Sequence, residues 1–521
     1  MNKKLTAFVD KAGAVNFFRV IVKELFEILS LSAGRVILKK NKNRGLIMNI
    51  QQAVFHRKFA KSMYKNLKLS LCEMTFTKDF VNDTRGDLYP VLAKSSDCIE
   101  RVVDNRYVLE QGNIQRHMGQ FFPYASYELT FEMETDEVGF GFKIPDCEAK
   151  VLYQKGLICL QTEDQTEQIK APGNDDGPQT MIVTCRPGYF DVYWMINGAA
   201  VFVHTFEVPA FANSNLQKAF EQGYVSFCAA GAAKVTAACG YIDSGVSQAD
   251  YRPIRYENGE IMIEQGKIYF TGSIRMQAQG FQGVFSWVPG TSQIELVGAL
   301  FFDSGDGKWC GDVASSILYH RSSGQWYHWV CSFSHGHVLG HACYKGDPRF
   351  GINVIDIELV PRATEENGVY DFAGLEGDED PDFYYDEKAD CWYMAVCRVD
   401  PTIRRYRYIF YRSKSPFDGF EYIGKGLEGA ETGGSFVHIG GKVYFVCGND
   451  FNTVSNYRIY SAEGMKEANF DFPDGGFRGW GTVMPICMGS RERYFWLTFD
   501  RHNGSDFNWS YGNLYCFEAM E

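Results

Sequence analysis

A hairpin that recurs five times is the feature that most restricts what this chain can become. The copies read EIMIEQGKIYFTG (260–272), SSILYHRSSGQWYHWV (315–330), PDFYYDEKADCWYMAV (381–396), SFVHIGGKVYFVCG (435–448) and VMPICMGSRERYFWLTF (483–499). Each opens with a strand, turns through a polar or Gly-containing segment and enters a second strand rich in Tyr and Trp. The aromatic anchors Tyr269, Tyr327, Tyr393, Tyr444 and Tyr494 stand 58, 66, 51 and 50 residues apart, the length of a four-stranded propeller blade with its loops. The spacing predicts a five-bladed β-propeller over about 255–521. Two further sandwiches would not explain one hairpin repeated at this interval.

Upstream, short alternating runs without long helices predict a β-sandwich of the jelly-roll type over 64–245, so the chain reads as all-β. Tyr124–Met133, Glu137–Ile144, Leu152–Gln161, Thr180–Cys185, Tyr189–Ile196, Ala200–Phe206 and Gly223–Ala229 read as its strands, and Asn197-Gly198 as a hairpin turn. The polar run Ser244–Pro253 reads as a linker. Residues 1–47 read as an extension outside the folded domains, ending in a basic stretch just before Met48. Within it, Arg19, Lys23, Glu24 and Glu27 interrupt an apolar set, so it predicts a short amphipathic helix rather than a signal core or a membrane span.

Composition narrows the partners. With 52 basic and 64 acidic residues the net charge is −12, which argues against nucleic acid. The basic-aromatic run Arg404–Arg412 fits a strand with one solvated basic face. Fifteen cysteines, odd in number and without a CxxC, read as reduced thiols of a cytoplasmic protein. No Walker loop, GxSxG elbow or HExxH helix is present. Oligomeric state is not encoded in any of these features.

The acids carry the functional signal. In a propeller the first strand of each blade lines the central channel, so residues at its start converge on one funnel. Asp312, Asp380 and Glu431 precede the first strands of the second, third and fourth copies, and Glu257 and Glu260 flank the first. Glu376–Asp382 crowds five acids into seven residues, a repulsive arrangement that a functional site would use. Two carboxyl groups flanking a glycosidic bond are the minimum machinery for its hydrolysis.

On these residues the chain resembles the five-bladed furanosidase-type glycoside hydrolases of families 43, 32 and 68, preceded by a concanavalin-like jelly-roll sandwich. The resemblance implies that Asp380, in Asp380-Pro381, stabilises the transition state, and that Glu431, in Ala-Glu-Thr-Gly-Gly-Ser, is the general acid. The nucleophile or base falls to Glu257, with Glu260 and Asp312 as rivals. Domain order differs from family 32, where the sandwich follows the propeller. Relatives sometimes hold a calcium ion on the propeller axis, so a structural cation there is an analogy; no other cofactor and no metal ligand are expected.

Trp309 and Trp480 are candidates for stacking on sugar rings, against packing between blades. Arg478, Asp500 and Arg501 are candidates for binding substrate hydroxyl or carboxylate groups. His335, in His335-Gly336-His337, reads as a loop histidine of the substrate site, since nothing fixes these histidines at metal-ligand spacing. The reading is a glycosidase of small oligosaccharides or glycosides. Its alternative is a non-catalytic carbohydrate-binding protein with a lectin-like sandwich.

Overall fold

The computed structural model describes residues 49–62, 67–78, 80–81, 89–173, 177–212, 216–276, 280–360, 377–400, 403, 405–426, 431–449, 457–471, 477–489, 491–500 and 513–520. The expected amphipathic helix lies outside them. Among the described residues, no helix is long and apolar enough to cross a membrane, and the cysteines form no disulfide. Two compact units emerge, with boundaries at Met63/Tyr64 and Ser244/Gly245, and with the short stretch Gly305–Trp309 grouped with the second.

The first unit is a five-bladed β-propeller, as the hairpin repeat predicts. Its blades are built outward from the inner strands Ser247–Pro253, Val313–His320, Glu379–Asp386, Glu431–Ile439 and Phe477–Met488. In every blade the next strand carries the aromatic anchor of the repeat. These anchors and their neighbours fill the spaces between sheets: Tyr384, Tyr393, Tyr408, Phe410, Phe436 and Phe445 form one buried cluster. Burying aromatic side chains is the main gain available to such stacked sheets.

Two departures from the sequence reading matter for function. The stretch read as a linker is strand: Ser247–Pro253 pairs antiparallel with Lys267–Arg275 and is the inner strand of the first blade. The two-residue strand Ile263–Glu264, which opens the repeat copy in sequence, only borders the same hairpin. The propeller also begins before the sandwich. Val54–Ser62 pairs antiparallel with Asn513–Met520, the last strand of the chain, and closes the fifth blade. Phe55 is buried there with its ring edge-on to Trp496 at 5.0 Å. The sandwich is thus an insertion between the first strand of the propeller and the rest.

The second unit is the expected sandwich, made of a seven-stranded and an eight-stranded antiparallel sheet. Asn197 and Gly198 both have positive φ, as the predicted hairpin turn requires. The run Leu152–Gln161 is two strands instead of one, because Lys155 and Gly156 turn the chain with φ of 45° and 89°. Phe131, Tyr153 and Trp194 pack ring to ring in its core, and Arg186 and Asp191 form a buried two-point ion pair.

Candidate active site

One local device organises the start of the inner strands. The register slips between Ala249 and Arg252, Val313 and Ser316, Glu379 and Asp382, Thr432 and Ser435, and Arg478 and Thr482. A bulge at the same place in all five blades re-aims one residue out of the pleat. In four of them that residue has positive φ: Asp250 (54°), Ala314 (58°), Asp380 (46°) and Gly433 (57°). Two of the four are aspartates. Aspartate is one of the few side chains that adopt the left-handed region, at a cost of order 1 kcal/mol. Asp104 and Asp390 do so at hairpin turns, whereas Asp250 and Asp380 do so at bulges of inner strands.

Asp250 and Asp380 face one another electrostatically. Burial is the largest influence on Asp250 and the charge of Asp380 the second, and together they push its carboxyl up to about 6, against opposing contributions from Arg275, Ser273 and Arg252. Asp380 Oδ2 accepts from Thr432 Oγ1 at 3.0 Å and from the Gly433 amide at 2.9 Å. Exposure is 6% for Asp250 and 3% for Asp380, so both sit deep in the propeller. Ser273, which hydrogen-bonds Asp250, also accepts from the Ala314 amide at 3.2 Å and so ties the first bulge to the second.

The neighbouring Glu379 and His337 are less deeply buried, their side chains 13% and 22% exposed. Glu379 Oε1 lies 2.7 Å from His337 Nε2 and accepts from Tyr406 Oη at 2.6 Å. Burial, chiefly, raises the Glu379 carboxyl, with His337 opposing and Asp380 reinforcing the shift. Gly377 makes this placement possible: a Cβ there would come 1.6 Å from the His337 carbonyl oxygen. Two residues before Asp380, Asp378 makes a two-point contact with the Arg398 guanidinium.

The sequence candidates divide. Asp380 is at the centre. Asp312 lies two residues before the bulge of the second blade, fully buried, with Oδ2 accepting from Ser332 Oγ at 2.7 Å and Oδ1 from the Ser334 amide at 3.1 Å. His335 joins it through the same serine, Nδ1 being 2.9 Å from Ser332 Oγ. Glu431 also starts its strand, yet its side chain turns away from Asp380 into the space between the third and fourth blades. There Oε2 accepts from the Tyr408 amide at 3.0 Å and Oε1 from Tyr460 Oη, with no exposed surface. Burial drives its carboxyl up.

Glu257 and Glu260 are elsewhere. Glu257 stands seven residues beyond Asp250, roughly 20 Å along an extended chain at about 3.3 Å per residue. It follows Tyr256, which pairs with Tyr319 near the end of the second inner strand, whereas the Asp250 bulge is tied to its start. Glu257 grips Arg321 by the guanidinium at 2.7 Å and the amide at 3.1 Å, and Glu260 pairs with the same arginine at 3.2 Å. Although burial works against its charge, Arg321 holds the Glu257 carboxyl below its usual range. Arg321 is 40% exposed. Glu257→Gln should therefore cost only about 1 kcal/mol in urea unfolding and leave turnover within about twofold of wild type.

Trp309 falls in the stretch grouped with the sandwich and packs 6.0 Å from the ring of Phe122. The side chains of Arg478, Trp480 and Asp500, and all of Arg501, lie outside the described residues. Asp250, Glu379, His337 and Tyr406 are site residues that the sequence candidates omit. The signal for Asp250 was present: Ala249-Asp250-Tyr251 has the acid-then-ring pattern of Asp380-Pro381, but it stands nineteen residues before its anchor Tyr269, against thirteen for Asp380 and Tyr393.

No protein-family model and no curated protein matches the sequence. Among solved structures, the chain is similar to an α-L-arabinofuranosidase of Podospora anserina in complex with cellotriose, at 9% identity over 53% of this chain and 92% of that one, TM-score 0.35. It is also similar to a family 117 glycoside hydrolase of the marine bacterium Zobellia galactanivorans, at 12% identity over 52% and 84%, TM-score 0.36. A galectin of Caenorhabditis elegans matches 26% of this chain and 95% of its own at 12% identity, TM-score 0.20.

Proposed function

We propose that the propeller hydrolyses glycosidic bonds of small saccharides, with Asp250 and Asp380 as the working carboxyl pair. The observation that carries this reading is their placement at equivalent bulges of the first and third blades, close enough for the charge of one to raise the proton affinity of the other. Such a pair separates into a proton donor and an anion. Asp250, protonated below about pH 6, delivers its proton to the leaving oxygen. Asp380, oriented by Thr432 and Gly433, presents negative charge to the anomeric carbon as the oxocarbenium-like transition state develops. Asp250, once deprotonated, takes a proton from the incoming water and is restored. Glu379 and His337, partly exposed next to Asp380, are the groups that meet sugar hydroxyls.

The second reading is a sugar-binding protein without turnover, and the near-complete burial of Asp380 and Glu431 favours it. One assay separates the two. Wild type and Asp380→Asn are given a panel of aryl furanosides, aryl pyranosides and short oligosaccharides, with sugar binding followed by calorimetry. Hydrolysis that falls by roughly 10³-fold or more in the variant, while binding persists, is the expected result. Binding without hydrolysis in both proteins would establish the sugar-binding reading instead.

A further inference from the structure

Beside the hydrolytic pair, and independent of it, the second blade gathers a thiol, a carboxylate and an imidazole. Ligand atoms of Cys310, Asp312 and His335 all lie within 4.8 Å of one another. Each is set by its backbone. Cys310 is bridged to Phe302 by two hydrogen bonds, 2.7 and 3.0 Å. Gly311 is pressed so tightly against the Gly280 carbonyl that a Cβ would come within 1.7 Å of it, which fixes the spacing of Cys310 and Asp312. His335 ends a single 3-10 turn, Phe333–His335, closed by Gly336 in the left-handed conformation.

The surroundings of Asp312 supply a second, separate observation. Its carboxylate has no exposed surface, and among the described residues no lysine or arginine pairs with it. Its hydrogen-bond donors, Ser332 and the Ser334 amide, are neutral. Two buried carboxylates of the same propeller, Asp378 and Asp382, each have an arginine, whereas Glu431, like Asp312, is held by neutral donors. A buried carboxylate hydrogen-bonded by neutral donors is expensive to keep ionised, and a bound cation offsets that cost.

We infer that Cys310, Asp312 and His335 bind a zinc-class divalent transition metal. The donor set decides the class. A thiolate with an imidazole disfavours calcium and magnesium, which take oxygen, and suits zinc or cobalt. One thiolate and one carboxylate would balance the charge of a divalent ion, the Cys310 thiol giving its proton to solvent on binding. Three protein ligands leave a fourth position for water or a substrate oxygen. The serines are placed as an outer shell: Ser332 Oγ is 2.7 Å from Asp312 and 2.9 Å from His335 Nδ1, and Ser304 Oγ is 2.9 Å from His335 Nε2. Whichever ring nitrogen holds the metal, the other keeps a serine partner.

Cobalt(II) is the probe, because thiolate coordination gives a near-ultraviolet charge-transfer band that requires no catalytic activity. The full chain, stripped with a chelator, is titrated with cobalt(II) and then with zinc(II). One equivalent should develop the band, and zinc should abolish it. Cys310→Ser should lose the band, with its far-ultraviolet circular dichroism and urea midpoint as controls on folding. Ser332→Ala, which keeps all three ligands, should retain the band with affinity weakened by about 10–100-fold. Absence of the band in wild type, or zinc binding equal in wild type and both variants, would overturn the assignment.

Discussion

Asp250→Asn is expected to lower kcat by roughly 10³-fold or more while making the protein more stable at pH 8. The two effects share one cause. In the folded propeller burial and Asp380 raise the Asp250 carboxyl to about 6, above the value of about 3.9 that an unfolded chain gives it. The folded state therefore holds a proton that the unfolded state releases between about pH 4 and 6, and ionising Asp250 above that window costs folding free energy. Asparagine keeps a polar group beside Ser273 and removes the charge. Variant and wild type should match in stability near pH 4, and the variant should lead by on the order of 2 kcal/mol above pH 6. Urea unfolding at pH 4, 6 and 8 measures it. A variant less stable at pH 8 would mean that Asp250 is a structural carboxylate.

The second large effect belongs to Asp382, two residues further along the same strand. Its carboxylate pairs with the Arg255 guanidinium, accepts from Ser316 Oγ at 2.7 Å, and accepts from the Phe436 amide at 2.7 Å. Arg255 in turn donates to the Phe436 carbonyl at 2.9 Å. This one fully buried group joins the inner strands of the second, third and fourth blades to the segment that follows the first. Asp382→Ala leaves a buried guanidinium without its anion and a buried amide without its acceptor. A loss of about 3–5 kcal/mol in urea unfolding is expected. The paired variant Arg255→Met with Asp382→Leu should recover much of it, because the isolated charge is what costs most.

How much of this was legible in the sequence follows from the repeat. The hairpin and its tyrosine anchor are local signals, and they placed the second strand of every blade. They could not place the first blade's inner strand, because extra residues at 254–262 separate it from its hairpin and move Asp250 outside the repeat unit. Nor could they show that Val54–Ser62 closes the fifth blade, a pairing across more than 450 residues that no local pattern records. The side-chain directions were hidden for another reason. Each inner strand carries a bulge, and one extra residue exchanges which side chains face the axis. Glu431 starts its strand as the repeat suggested, but Gly433 takes the bulge position and Glu431 points into the space between blades. Glu257 looked like the first-blade acid only because the repeat copy appeared to begin beside it.

The pH dependence of kcat/KM for wild type, on the fastest substrate of the glycoside panel, tests the central claim most directly. With Asp250 as proton donor, activity should be held at low pH and fall with an alkaline limb near pH 6, and Asp250→Asn should abolish that limb together with most of the rate. A profile that stays level through pH 8, or an alkaline limb that survives in Asp250→Asn, would contradict the assignment of the Asp250–Asp380 pair as the hydrolytic machinery.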